Sequence, residues 1–224
     1  AEALLRGGAD ILLIETCFDA LNVKAALAAI AELDMPPPAR GRGPAWLGGG
    51  LCSHHGVPVM ISVSVGDRSG RTLTGQTLEA FYTAVSHYPI MSFGLNCSLG
   101  ASELMPLVED INKWCRCAVS CYPNAGLPNE MGGYDQSPEE MAAQVRDMAS
   151  KGLVNIVGGC CGTTPDHIKA IAKALAGSKP RSLSVKSAQF PDRPLKVSGL
   201  EAVTIDVKRN NFTNVGERTN VAGS

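Results

Sequence analysis

The sequence predicts an α/β fold: five successive strand–helix units on a parallel sheet, the arrangement of the C-terminal five units of a TIM-type (β/α)8 barrel. Three observations carry this. Short apolar, β-branched runs alternate with longer segments of helical spacing. The alternation repeats five times, which favours parallel strands joined by crossover helices. The chemistry-bearing polar residues fall directly after strands: Glu15, Asn96 with Cys97, Asn124, and Cys160 with Cys161. In barrels of this kind chemistry sits at that carboxyl-terminal rim. An open doubly wound sheet uses the same edge, so position alone does not separate the two folds. No Gly-x-Gly-x-x-Gly follows a strand, which weakens the dinucleotide version. A full barrel needs about 250 residues and eight units, so the barrel reading places roughly three units before Ala1.

The elements follow in order. Ala9 to Ile14 is a compact apolar strand, and Asp19 caps a helix through Leu33 with Val23, Leu27, Ile30 and Ala31 at helical spacing. Pro58 to Val65 is the second strand, with a helix over Gln76 to Ser86. Ile90 to Leu95 is the third, followed by a helix from Glu103 to Trp114. Cys117 to Cys121 is the fourth. Its helix opens on a capping box, with Ser137 as cap, Pro138 first and Glu140 three residues on. Met141, Val145 and Met148 form that helix's buried stripe, and Gly152 ends it. Leu153 to Val157 reads as a buried fifth strand. The last helix starts at Thr164-Pro165-Asp166, carries Ile168, Ile171, Ala172 and Leu175 on one face, and stops at Gly177.

Two stretches break the rhythm. Residues 35–56 hold three prolines in a row, a Gly-Gly-Gly run and His54-His55, and read as a flexible insertion with solvated histidines. Residues 178–209 begin rich in Ser, Pro and Lys without helical periodicity and read as a linker. The domains expected are thus 1–177, a linker over 178–209, and the start of a second domain at 210–224, with a strand at Asn211 to Val215. The chain opens inside a helix without an initiator methionine, as expected of a piece of a longer protein.

With 224 residues, 45% of them hydrophobic, and a net charge of −1, the composition is that of an ordinary globular chain. The charge gives no electrostatic case for nucleic acid or an anionic membrane. No apolar run nears the roughly 18 residues of a membrane span. Eight cysteines, several of them on apolar strand-like segments, in a chain this long point to a reducing, cytoplasmic setting rather than a disulfide framework.

Cys97, Cys160 and Cys161 each lie at the end of a predicted strand beside glycine or a turn. Three thiolates on zinc leave one tetrahedral position open, the arrangement of a catalytic site. Three buried cysteines packing as small hydrophobes would look the same in sequence. Cys115, Cys117 and Cys121 match no ligand spacing and read as packing, as does Cys17. His167, in the first turn of a helix, is expected neutral in a capping or packing role. Glu15 could accept hydrogen bonds from a substrate ammonium, or pair with a rim arginine.

Five motifs in order resemble the cobalamin-dependent methionine synthase family. They are Ile14-Glu15-Thr16 with Asp19-Ala20-Leu21-Asn22, Ser69 to Gln76, Phe93-Gly94-Leu95-Asn96-Cys97, Tyr122 to Pro128, and Gly158 to Pro165. Val215 to Asn220 resembles the opening of that family's folate-binding barrel. The resemblance implies transfer of a methyl group to the thiol of homocysteine, with zinc on Cys97, Cys160 and Cys161. It implies that Glu15 and Asn96 bind substrate and that Glu217, Asn220, Gly223 and Ser224 meet folate. It also implies methylcobalamin as donor, regenerated from 5-methyltetrahydrofolate, with cobalamin held by a domain outside this chain. Ser62 to Val65 departs from the family, reading Ser-Val-Ser-Val where a Gly-Thr pair is expected. Two other readings share the zinc site: a single-domain homocysteine methyltransferase using betaine or a methylsulfonium donor, and a truncated, non-catalytic zinc-binding module.

Overall fold

A computed structural model describes residues 1–33, 53–54, 57–183, 194–206, 208–209, 212–214 and 216. A short helix α1 (Glu2–Arg6) precedes five strand–helix units. These are β1 (Leu12–Cys17) with α2 (Ala20–Ala31), β3 (Val57–Val63) with α3 (Leu78–Val85), β4 (Ser92–Gly100) with α4 (Ala101–Trp114), β5 (Ala118–Asn124) with α5 (Pro138–Ser150), and β6 (Ile156–Val157) with α6 (Pro165–Ala174). The five strands pair in parallel in the order β1–β3–β4–β5–β6, the expected α/β arrangement of consecutive barrel units. The two-residue strand β2 (Ser53–His54) pairs antiparallel with the start of β3. The end of the stretch read as an insertion is therefore regular; residues 35–52 and 55–56 and the His54 side chain lie outside the described residues.

Helix starts follow local chemistry. Asp19 Oδ1 accepts from the Leu21 amide at 2.7 Å, and Thr77 Oγ1 accepts from the Ala80 amide at 3.2 Å. The Ser137–Glu140 capping box forms in both directions. Each device satisfies amides that a helix leaves unpaired at its start.

Alternation along the strands sorts the two sheet faces. Ile61, Val63, Phe93, Leu95, Val119 and Cys121 face the helices and share one core with Leu27, Phe81, Leu104, Val108, Met141 and Val145. The opposite face carries Ser62, Ser92, Gly94, Asn96 and Ser120, all buried. A Cβ on Gly94 would lie 1.9 Å from the Ser120 carbonyl oxygen, so the close approach of β4 and β5 requires glycine there.

Several expectations need correction. β4 runs five residues past Leu95, through an irregular stretch between Asn96 and Gly100. The fifth strand is half-buried rather than buried, because among the described residues β6 has a neighbour on one side only. Ile168 is 46% exposed; α6 instead buries His167 and Ile171. Part of the 178–209 segment is a hairpin, β7 (Leu195–Ser198) and β8 (Ala202–Ile205), not featureless chain. It seats on the start of α3: the Thr77 amide donates to the Leu200 carbonyl at 2.9 Å, and Lys196 pairs with Glu79 at 2.8 Å. Arg71 pairs with Glu201 beside it. Two alternating apolar runs about Gly199 explain the hairpin, a signal masked by the polar average of the segment. Phe212 to Asn214 carry no regular structure, and the rest of the expected second-domain strand lies outside the described residues, as do Glu217, Asn220, Gly223 and Ser224.

Candidate active site

The carboxyl ends of β1, β4, β5 and β6 converge on three sulfurs. The chain reaches this geometry through three non-glycine residues in the left-handed region: Thr16 (φ 56°), Cys97 (φ 62°) and Ser98 (φ 64°). Such conformations persist only where surrounding contacts over-determine them. Asn96 supplies most of those contacts. Its Oδ1 accepts from the Thr16 amide at 3.2 Å and from Ser62 Oγ at 2.7 Å, and its Nδ2 donates to Thr16 Oγ1 at 2.9 Å. Ser64 Oγ and Ser98 Oγ share a hydrogen bond at 2.8 Å. The serines of the Ser-Val-Ser-Val run thus brace the turn that aims Cys97.

Cys160 and Cys161 continue the ladder beyond β6. The Cys160 amide donates to the Pro123 carbonyl at 2.8 Å, and the Ala125 amide to the Cys161 carbonyl at 2.9 Å. Asn124, buried at the end of β5, accepts from the Cys161 amide at 3.0 Å. Gly162 follows at φ +76°. A Cβ there would meet the Tyr134 Cβ at 2.3 Å, so glycine serves both the turn and the close packing of that ring.

The three Sγ atoms lie within 4.8 Å of one another, with Cys97–Cys161 at 3.6 Å and Cys160–Cys161 at 4.0 Å. Three sulfurs about 2.3 Å from one tetrahedral zinc ion would sit roughly 3.8 Å apart, so this donor set fits that ion with little movement. Burial pushes the Cys160 thiol up to about 11. The Cys161 thiol is lowered, first by its hydrogen bond with Cys97 and further by one from Tyr134. The Asn96 amide lies 3.9 Å from Cys160 Sγ.

Tyr134 is the site residue that sequence reasoning missed. Its loop is ordered by Asn129, whose Oδ1 accepts from the Met131 and Gly133 amides at 3.0 and 2.8 Å. Asn129 Nδ2 reaches Asp135 at 2.7 Å, and Tyr134 pairs across to Pro128. The Gly132-Gly133-Tyr134 run between a strand end and a capping box marks a rim loop, the one signal that pointed there.

Glu15 is exposed on β1 and makes no hydrogen bond or ion pair among the described residues. Its charge contributes to raising Cys17, to about 11, after burial, and to raising Tyr122 after burial. Asn96 is 1% exposed with its amide engaged by protein groups, so it braces the site from beneath. Cys17 is buried. His167 works as a cap: Nδ1 accepts from the Thr164 amide at 3.2 Å and lies 2.8 Å from Thr164 Oγ1, and Nε2 lies 2.9 Å from the Gln136 carbonyl. No helix among the described residues is long and apolar enough to cross a membrane.

A half-barrel with three thiols converging on its carboxyl rim defines the class: an α/β barrel protein with a candidate soft-metal centre. The chain belongs to the homocysteine S-methyltransferase family, whose profile matches residues 1–175. It is similar in fold to the homocysteine methyltransferase MmuM from Escherichia coli in three solved forms. The apo form is 21% identical at a TM-score of 0.52, covering 77% of this chain and 53% of that one. The oxidized form is 20% identical at 0.55, covering 77% and 48%. The metallated form is 22% identical at 0.52, covering 77% and 47%. The chain spans about half the length of these structures.

Proposed function

We propose that this chain carries the zinc- and homocysteine-binding part of an enzyme that methylates the thiol of homocysteine to give methionine. The observation behind this reading is the convergence of Cys97, Cys160 and Cys161, with sulfur separations of 3.6 and 4.0 Å, at the rim of the sheet. Membership of the family supports the acceptor, and the metallated form of the similar structure supports a metal. Cys97, Cys160 and Cys161 would hold zinc as three thiolates. Zinc so held supplies one thing: a fourth thiol meeting it loses its proton near neutral pH. Three thiolates against a dication leave a net negative charge, which keeps an incoming sulfur electron-rich. Asn96 and Tyr134 hydrogen-bond two of the cysteine sulfurs and hold them in place. Glu15, exposed and unpaired among the described residues, is assigned to the homocysteine ammonium.

Methylcobalamin, regenerated from 5-methyltetrahydrofolate, is the proposed donor. It rests on the motif resemblance, including Val215 to Asn220. The experiment supplies zinc-loaded protein and homocysteine with methylcobalamin, a methylsulfonium compound or betaine in parallel. Methionine formed from methylcobalamin supports the proposal. Methionine formed only from a sulfonium or betaine donor moves the chain to the single-domain class. Zinc uptake with no turnover on any donor by the full-length protein that contains this chain favours the zinc-binding module.

A further inference from the structure

The opposite end of β5 carries a second sulfur pair. Cys115 follows α4 in extended conformation (ψ 132°), and Cys117 stands just before β5. Their Sγ atoms are 3.5 Å apart. Cys115 is buried and Cys117 is partly exposed. β5 is seven residues long, so at about 3.3 Å per residue it keeps this pair roughly 20 Å from the rim thiols. Cys121, the third cysteine of the apparent cluster, is buried among the helix-facing residues and belongs to the core.

Arg181 completes the arrangement. Its NH2 donates to the Cys115 carbonyl at 2.7 Å, its NH1 to the Cys117 carbonyl at 3.0 Å, and its Nε to Asn112 Oδ1 at 2.5 Å. The clamp is itself anchored, with the Arg181 amide on the Val154 carbonyl at 3.0 Å and Asn155 Nδ2 on the Arg181 carbonyl at 2.8 Å. A permanent cation is thereby fixed on the backbone carbonyls of two cysteines whose sulfurs are already in contact. The Cys115 thiol is held below its ordinary range by its contact with Cys117, with smaller help from Arg181 and Tyr82. Two sulfurs in contact, one of them on a partly exposed residue, with a guanidinium on the carbonyls of both cysteines, form a setting for thiol chemistry rather than inert packing.

We propose that Cys115 and Cys117 form a redox-active dithiol that closes to an intramolecular disulfide on exposure to a hydroperoxide. Cys117 Sγ, on the more exposed of the two residues, loses its proton to solvent and attacks a peroxide oxygen. The O–O bond breaks, leaving a sulfenic acid on Cys117 and releasing an alcohol, or water from hydrogen peroxide. Cys115 Sγ then attacks the Cys117 sulfur, and the S–O bond breaks with loss of water. Two thiols and one hydroperoxide give one disulfide, one alcohol and one water. Closure shortens the 3.5 Å separation to about 2.05 Å, a movement of about 1.5 Å.

The sequence supplies its own assay. Trypsin cleaves after Lys113, Arg116 and Arg146, which separates Cys115 (residues 114–116) from Cys117 (residues 117–146). The chain is treated with hydrogen peroxide, alkylated and digested. The two peptides should appear joined, come apart with dithiothreitol, fail to join in Cys117→Ser and still join in Cys121→Ser. Fragmentation of the wild-type joined pair locates the bond without relying on either variant. Absence of the joined pair while Cys117 accumulates as sulfinic acid would overturn the proposal. So would a bond located at Cys121.

Discussion

Replacing Gly94 by alanine tests how the sheet holds the site. Gly94 pairs with Ser120 in the β4–β5 ladder, and an added Cβ would stand 1.9 Å from the Ser120 carbonyl oxygen and 2.6 Å from its carbonyl carbon. Both are backbone atoms, which no rotamer change can move aside. Reaching van der Waals contact requires the strands to part by roughly 1.5 Å, about a third of the normal 4.8 Å strand spacing. Overpacking together with weakened ladder bonds should cost about 3 kcal/mol. For a chain of this size that is a melting temperature lower by about 6–12 °C. The movement also reaches the sulfurs, because Pro123 and Asn124 at the end of β5 hold the Cys160 and Cys161 amides. Thermal unfolding and zinc content measured on Gly94→Ala should therefore fall together. Stability within about 0.5 kcal/mol of wild type would show that β4 and β5 do not approach as described. Lost stability with undiminished zinc would show that β5 does not position the cysteines.

The remaining predictions probe separate parts. Asn96→Ala strands the Thr16 amide and Ser62 hydroxyl and should cost about 2–3 kcal/mol in urea unfolding, with zinc affinity lower by roughly 10–100-fold in a chelator competition; unchanged affinity would remove Asn96 from the site. Burial raises the Cys121 thiol from 9.0 to about 12, so the unfolded chain ionises first and stability should be full below pH 9 and fall as pH climbs towards 12. Urea unfolding across that range should show a shallower decline in Cys121→Ala, with Cys17 leaving a residual slope; an identical slope would contradict burial as the cause. Ser137→Ala removes one side of a formed capping box and should cost about 1 kcal/mol without altering zinc content.

Local devices were the legible part of this fold. Asp19, Ser137 and Thr164 act on amides two or three residues away, so the helix starts could be read within a residue or two. The three strand-end cysteines were legible too, since glycines and strand runs around Cys97, Cys160 and Cys161 locate them at one rim. What joins distant segments was not. The left-handed turn at Cys97 and Ser98 depends on Asn96 reaching Thr16 and Ser98 reaching Ser64, bonds across separate strands. Tyr134 reaches Cys161 through a loop that Asn129 folds, and no periodicity encodes that. The Cys115–Cys117 contact, read in sequence as packing, is braced through both carbonyls by Arg181, 64 residues beyond Cys117. Exposure of Leu13 (41%) reflects the edge position of β1 among the described strands, a property of sheet order rather than of the segment.

Cys97, Cys160 and Cys161 are expected to hold one zinc ion together, with a position open to a substrate thiol. X-ray absorption at the zinc edge measures this directly. The account predicts three sulfur neighbours at about 2.3 Å and one lighter atom in the resting protein, becoming four sulfurs when homocysteine is added. Two or fewer protein sulfurs, or a shell unchanged by homocysteine, would contradict it.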